Sequence, residues 1–225
     1  MLSDVEIDYA VRYLGNELNP RFFFFGVWPV HRESFDVLLD RHFHAFEAHS
    51  GRVYERKTDY SSSSSSDEDD DDDDGKRTTP QRKKSTNKHC LADDKEPIQY
   101  AFVLNTSVKG EHWVAVLVER HQSHISIEFF DSFGLPPGSY GNLMELCMQT
   151  LISQTTILSE NAVPVQPVYY DRRIQAGNVE CGMFCIWFLL QRMRGKSFKS
   201  IIDARVEDKT MTELRRQMRL KGYLL

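Results

Sequence analysis

The sequence predicts an α+β fold: a mixed, largely antiparallel central sheet flanked by helices, with a cysteine at the N-terminus of a buried helix. Three observations carry that expectation. Short β-branched and aromatic runs follow one another between residues 98 and 130, separated by turn residues. Segments with helical apolar period lie on both sides of this block. Further on, Cys181 opens a strongly apolar run of helical length that stops at Gly195, a residue suited to a C-terminal cap.

Arg21 to Pro29 reads as a buried extended run ending at Gly26 and Pro29. A helix start at Ser34 is followed by Phe35, Leu38, Leu39, His42, Phe43 and Phe46, which share one face at three- and four-residue steps. Ile98–Leu104, Trp113–Val118 and Ile125–Phe130 are the three predicted strands, with turns at Lys109-Gly110 and His121-Gln122-Ser123. Pro136-Pro137-Gly138 closes this meander, and a helix follows with Leu143, Leu146, Cys147, Thr150 and Leu151 on one face. Val163–Tyr170 is a further strand, placed at a sheet edge because Pro164 and Pro167 cannot donate to a ladder. The apolar helix from Cys181 runs to about Arg194, and a short charged helix spans Thr210 to Lys221.

The 225 residues fit one domain, 1–225, carrying an insert at 57–96. The insert joins a serine run (Ser61–Ser66), an acidic run (Asp67–Asp74) and a basic, polar stretch (Lys76–Lys88). Such a composition buries too little apolar surface to offset its ordering entropy, so disorder is expected there. Serines ahead of acidic residues suit an acid-directed kinase, and Lys76-Arg77 with Arg82-Lys83-Lys84 suits nuclear import; a plain solvated linker explains the same residues. Setting the eight acidic residues of 67–74 aside turns the net charge of −5 into +3, which predicts no broad nucleic-acid surface.

No stretch approaches the ~20 apolar residues that span a bilayer, and Met1–Glu6 has neither a basic region nor an apolar signal core. An intracellular protein is expected, with its four cysteines (Cys90, Cys147, Cys181, Cys185) as thiols. His31, His42, His44 and His49 share no tight ligand spacing and predict no metal site.

Three segments carry candidate chemistry. His112 sits where a loop enters a strand, and Asp131 ends the next strand. In an antiparallel hairpin the start of one strand neighbours the end of the next, so the two can meet. The carboxylate then fixes the imidazole tautomer and stabilises its cation. In the third segment, Gln175-Ala-Gly-Asn-Val-Glu-Cys181-Gly182, a polar loop runs into the apolar helix. A thiol at a helix N-terminus faces unpaired amides and the positive end of the dipole, which favours thiolate. Gly182 allows close backbone approach by a substrate, and Gln175 can join the Cys181 amide as an oxyanion donor.

Taken singly, each segment has an ordinary explanation. A His-Trp pair at a strand edge is a common packing element, a cysteine before an apolar helix is commonly core, and Asp-Ser after a strand commonly caps a turn. A zinc set of Cys181, Cys185 and His112 lacks a fourth ligand of suitable spacing, and Cys185 reads better as core. It is the order His, Asp, Gln, Cys at these placements that makes coincidence a poor account.

His112-Trp113, Phe130-Asp131-Ser132-Phe133-Gly134, and Gln175 followed six positions later by Cys181-Gly182 resemble the clan holding the adenovirus protease, the SUMO-specific proteases and related proteases of large DNA viruses. Glu180-Cys181-Gly182-Met183-Phe184 is similar to the clan's nucleophile signature, and the resemblance covers roughly Tyr100 to Arg194. Phe24-Phe25-Gly26-Val27-Trp28-Pro29 looks like a segment of viral members. The resemblance implies His112 as general base, Asp131 as its orienter, Cys181 as nucleophile and Gln175 as oxyanion donor. It implies that Trp113 and Gly182 hem a narrow slot for a Gly-Gly-like sequence, with no cofactor and no metal. The substrate expected is a viral structural polyprotein, the alternatives being deconjugation or processing of SUMO or ubiquitin-like proteins, and an inactive module that binds such a protein. A monomer acting in host cytoplasm or nucleus, or packaged in a virion, is the accompanying expectation. Some members of the clan use a nucleic-acid or peptide activator, which nothing in this sequence indicates.

Overall fold

The computed structural model describes residues 1–29, 37–38, 40, 98–107, 112–159 and 163–224. The insert at 57–96 and His31, His42, His44 and His49 lie outside the described residues. Of the helix expected from Ser34, only Val37, Leu38 and Asp40 are described, with Leu38 buried.

Helix α1 (Asp4–Leu18) begins with a reciprocal cap: the Glu6 amide donates to Ser3 Oγ, and the Ser3 amide donates to the Glu6 carboxylate. This helix is absent from the expectations above, although Ser3-Asp4-Val5-Glu6 carries the capping-box pattern. Its Ile7, Ala10, Val11 and Leu14 form one apolar stripe directed into the molecule.

Five strands follow in spatial order β1 (Phe22–Pro29), β2 (Ile98–Asn105), β3 (Trp113–Arg120), β4 (Ile125–Phe130) and β5 (Val165–Tyr169). The central three are antiparallel, and each outer strand runs parallel to its neighbour. The expected fold class is therefore the observed one. Gly26, at φ 106°, sits in a register shift of β1 that a side-chain-bearing residue would strain. The strand containing Pro167 lies at the sheet edge, as its sequence requires.

Residue alternation divides the strands between two cores. Ala101, Val103, Ala115, Leu117 and Phe130 face α1 and α3, and Phe102, Leu104, Val114, Val116, Ile127 and Phe129 face α2. A parallel β4–β5 pair needs a crossover, supplied by a 3₁₀ turn (Pro137–Tyr140) and α2 (Asn142–Leu158). The buried face of α2 is Met144, Cys147, Met148, Leu151 and Thr155. That corrects the expected face: Leu143 and Thr150 are only half-buried and Leu146 is exposed, because Met144 and Met148 complete a stripe with Cys147 and Leu151.

Helix α3 (Cys181–Met193) is buried along its entire length, packed between α1, the sheet, α4 (Phe198–Asp203) and α5 (Asp208–Leu220). Gly195, at φ 78°, ends it as expected. Near that end Arg192 is buried against two strands. Its Nε and Nη2 donate to Glu128 at 2.8 and 3.0 Å, Nη2 also meets Glu119, and Gln99 donates to the other Glu119 oxygen at 2.8 Å. The helix that presents Cys181 is thus tied to β2, β3 and β4 by a buried ion cluster. Among the described residues, no helix is long and apolar enough to cross a membrane.

Candidate active site

The β3–β4 ladder ends at Ala115 opposite Phe130. Just beyond it, His112 Nε2 and Asp131 Oδ1 are 2.6 Å apart, in a buried pair. The hairpin geometry expected from the sequence is therefore present. Asp131 is saturated: Oδ1 also accepts from the Phe133 amide at 3.0 Å, while Oδ2 accepts from the Leu135 amide at 2.8 Å and the Tyr140 hydroxyl at 2.7 Å. Burial pushes its carboxyl up, but the His112 bond and the Phe133 and Tyr140 donors outweigh that and hold its pKa below the ordinary value.

Phe133 stacks on the His112 ring at 4.4 Å, and Tyr140 lies 5.7 Å from it. With Nε2 committed to Asp131, Nδ1 is the nitrogen left for Cys181. Burial disfavours the imidazolium, yet the bond to Asp131 and the hydrogen-bonding sulfur of Cys181 reverse that and raise the His112 pKa to about 9. The ring thus lies between a carboxylate and a thiol, both of which favour its protonated form.

Cys181 is the first residue of α3. The preceding Glu180 occupies the N-cap position without capping the helix: its carboxylate is drawn instead to Thr212 Oγ1 at 3.1 Å and Arg215 Nη2 at 2.8 Å, both on α5. Cys185, one turn on, is fully buried, and burial raises its thiol pKa well above the ordinary value. It is core, and the described residues hold no group of three or more His, Cys, Asp and Glu arranged to take a metal ion.

Gln175 is buried and joins the group through Ser132, the neighbour of Asp131. Ser132 Oγ donates to Gln175 Oε1 at 2.6 Å, and the Ser132 carbonyl accepts the amides of Ile174 and Gln175. Gln175 Nε2 is left buried with no hydrogen-bond partner among the described residues. An orphan donor of this kind is costly, and it matches a group waiting for a transient acceptor. Trp113 presents a second one, since its buried indole Nε1 also lacks a partner among the described residues. Trp113 and Gly182 are brought together: a Cβ on Gly182 would lie 3.4 Å from Trp113 Cδ1, 3.0 Å from Ile7 Cδ1 and 3.3 Å from Leu2 Cβ. The N-terminal segment therefore forms a wall beside both residues.

Tyr140, Phe133 and Ser132 belong to this site but were not singled out as site residues from the sequence. Ser132 and Phe133 adjoin Asp131 in the motif, whereas Tyr140 is brought in by the 3₁₀ turn and carries no local signal.

A sequence profile for the C-terminal catalytic domain of the Ulp1 protease family matches residues 37–224. The chain belongs to the Ulp1 protease family. It is 32% identical over 120 residues to a SUMO-1 cysteine protease of African swine fever virus (a tick isolate from South Africa), a match covering 52% of this chain and 42% of that protein. A cysteine protease from the Badajoz strain of the same virus matches with the same identity and coverage. The match thus spans less than half the length of these relatives. Among solved structures, the African swine fever virus protease matches at 28% identity and TM-score 0.44, covering 52% of this chain and 41% of that one. The yeast Ulp1 protease domain in complex with Smt3 matches at 13% identity and TM-score 0.48, covering 96% and 73%. As an Ulp1-family chain, this protein carries its His, Asp, Gln and Cys in the order and placements on which the resemblance was drawn.

Proposed function

We propose that this Ulp1-family chain is a thiol protease that hydrolyses peptide or isopeptide bonds after a Gly-Gly-like C-terminus of a SUMO or ubiquitin-like protein. The observation that carries the chemistry is the buried His112 imidazole, bonded at 2.6 Å to Asp131 and raised to about 9 with Cys181 as its other neighbour.

In this reading the Cys181 proton resides on His112, and the thiolate attacks the scissile carbonyl. The resulting oxyanion takes the Cys181 backbone amide and the unpartnered Gln175 Nε2. The imidazolium then protonates the departing amine, leaving a thioester on Cys181. His112 next removes a proton from water, whose oxygen attacks the thioester; collapse releases the acid and restores the thiol. Asp131 remains ionised throughout and fixes the ring. Gly182 lets Leu2, Ile7 and Trp113 pack against the start of α3, and the Trp113 indole N–H offers a donor to a substrate carbonyl.

One of the viral relatives is named a SUMO-1 cysteine protease, which favours this substrate class over the structural polyprotein expected from the sequence. Incubating the purified chain with a SUMO precursor, a SUMO conjugate and a peptide from a viral structural polyprotein separates the two. Cleavage after Gly-Gly of the SUMO substrates, lost in Cys181→Ala, is expected. Cleavage of the polyprotein peptide alone would give the role to polyprotein processing. A chain that binds SUMO tightly but cleaves nothing would be a binding module.

A further inference from the structure

Helix α5 contacts the loop between Gln175 and Cys181 with three side chains of one face. Asp208, Thr212 and Arg215 stand at i, i+4 and i+7. The Asp208 carboxylate accepts the Ala176 amide at 3.0 Å on one oxygen and the Gly177 amide at 2.6 Å on the other. Thr212 and Arg215 hold the Glu180 carboxylate, and Arg215 Nη2 also donates to the Val179 carbonyl at 3.1 Å. Arg173 donates to the carbonyls of Gln175 at 2.6 Å and Ala176 at 2.9 Å while its guanidinium lies over Phe133. A Cβ on Gly177 would come within 3.0 Å of Asp208, so the carboxylate is seated directly against the loop backbone.

We infer that Asp208 is a positioning residue for the oxyanion site, acting through the Ala176 and Gly177 amides to set where Gln175 presents its Nε2. This rests on the proteolytic reading above. The physical basis is that this loop contains both donors assigned to the oxyanion, Gln175 Nε2 at one end and the Cys181 amide at the other. A loop of small residues, Ala176-Gly177-Asn178, has little stiffness of its own. A carboxylate accepting two successive amides supplies that stiffness with charge-assisted bonds. Thr212 and Arg215 do the same at the Cys181 end by keeping the Glu180 acid off the first turn of α3.

Oxyanion donors act in the transition state, so their misplacement lowers kcat and leaves substrate binding alone. Asp208→Ala is expected to lower kcat about 10- to 100-fold, the scale of a misplaced catalytic group, with KM within about twofold. Asp208→Asn keeps one acceptor and should recover part of the loss. The pH profile of Cys181 alkylation by iodoacetamide should not move in either variant, since His112 and Asp131 are untouched. Hydrogen exchange at the Ala176 and Gly177 amides should accelerate in Asp208→Ala. A folded Asp208→Ala with wild-type kcat and unchanged exchange overturns the inference, as does a variant whose alkylation profile shifts along with kcat. Should Asp208→Ala fail to fold, Asp208→Asn is judged by the same readouts. A wild-type chain that cleaves no substrate sinks the protease reading instead, and exchange at Ala176 and Gly177 still decides whether Asp208 clamps the loop.

Discussion

The Tyr140 hydroxyl donates a hydrogen bond to Asp131 Oδ2 at 2.7 Å, while the other oxygen of the same carboxylate faces His112 at 2.6 Å. The phenol therefore steadies the imidazole through the carboxylate without touching the thiol's reaction path. Tyr140→Phe removes that bond and keeps the ring beside His112. A hydrogen bond to a charged group is worth about 1.5–3 kcal/mol, so kcat/KM is expected to fall by about tenfold or more while the fold persists. Steady-state kinetics with a circular-dichroism melt checks this; an unchanged kcat/KM would remove Tyr140 from the site.

Gln175→Ala deletes the orphan Nε2 and also the acceptor of Ser132 Oγ. Loss of one oxyanion donor costs about 10²–10³ in kcat, and that drop is expected here. The rate of Cys181 alkylation should stay close to wild type, because the thiol's partners are intact. Parallel loss of both would mean that Gln175 supports the fold and not the oxyanion.

The pH dependence follows from His112. Its pKa rises from an ordinary value near 6.5 to about 9 on folding, so the folded state binds the proton more tightly. The stabilisation is fully present below pH ~6.5 and fades as pH climbs through the folded value. Activity through the thiolate–imidazolium pair should decline over the same alkaline limb. Urea melts at about pH 6 and pH 10 test the first point, with His112→Gln flattening the difference, and a kcat/KM profile tests the second. An alkaline limb that falls near pH 7 would contradict both.

Arg192 is the one guanidinium of the described residues that joins Glu119 and Glu128. Burial pushes Glu128 up to about 7 despite Arg192, with Glu119 adding to the rise. A carboxyl raised on folding holds its proton in the folded state, so this group's contribution to stability diminishes from pH ~4.5 to ~7. Arg192→Met leaves both acids without their partner and is expected to cost about 3–5 kcal/mol. The deficit should be larger at pH 8 than at pH 5, where Glu128 holds its proton. Denaturant melts at those two pH values measure it, and a deficit independent of pH would contradict this account of the cluster.

The legible parts of the site were those tied to strand and helix period. The meeting of His112 with Asp131 follows from two adjacent antiparallel strands, and the placement of Cys181 from the start of an apolar run. Tyr140 was not legible because a 3₁₀ turn brings it across nine residues onto Asp131. Asp208, Thr212 and Arg215 were hidden for a different reason. Thr212 and Arg215 read as the polar face of a charged helix and Asp208 falls before its expected start at Thr210; only packing of α5 against the 176–180 loop, some thirty residues away in the chain, gives them partners. On α2 the expected stripe was displaced because methionines fill the sheet-facing gaps that leucines were expected to fill. Helix α1 shows the opposite failing, since its capping box was written in the sequence and its role as a wall beside Trp113 and Gly182 was not.

The most direct test is mass spectrometry of the full chain after exposure to a SUMO protein bearing a thiol-reactive electrophile at its Gly-Gly C-terminus. One covalent adduct, mapped to Cys181 and lost in Cys181→Ala and in His112→Ala, is the predicted result. No adduct, or an adduct on Cys90 or Cys147 with Cys181 untouched, would contradict the assignment of Cys181 as the nucleophile for this substrate.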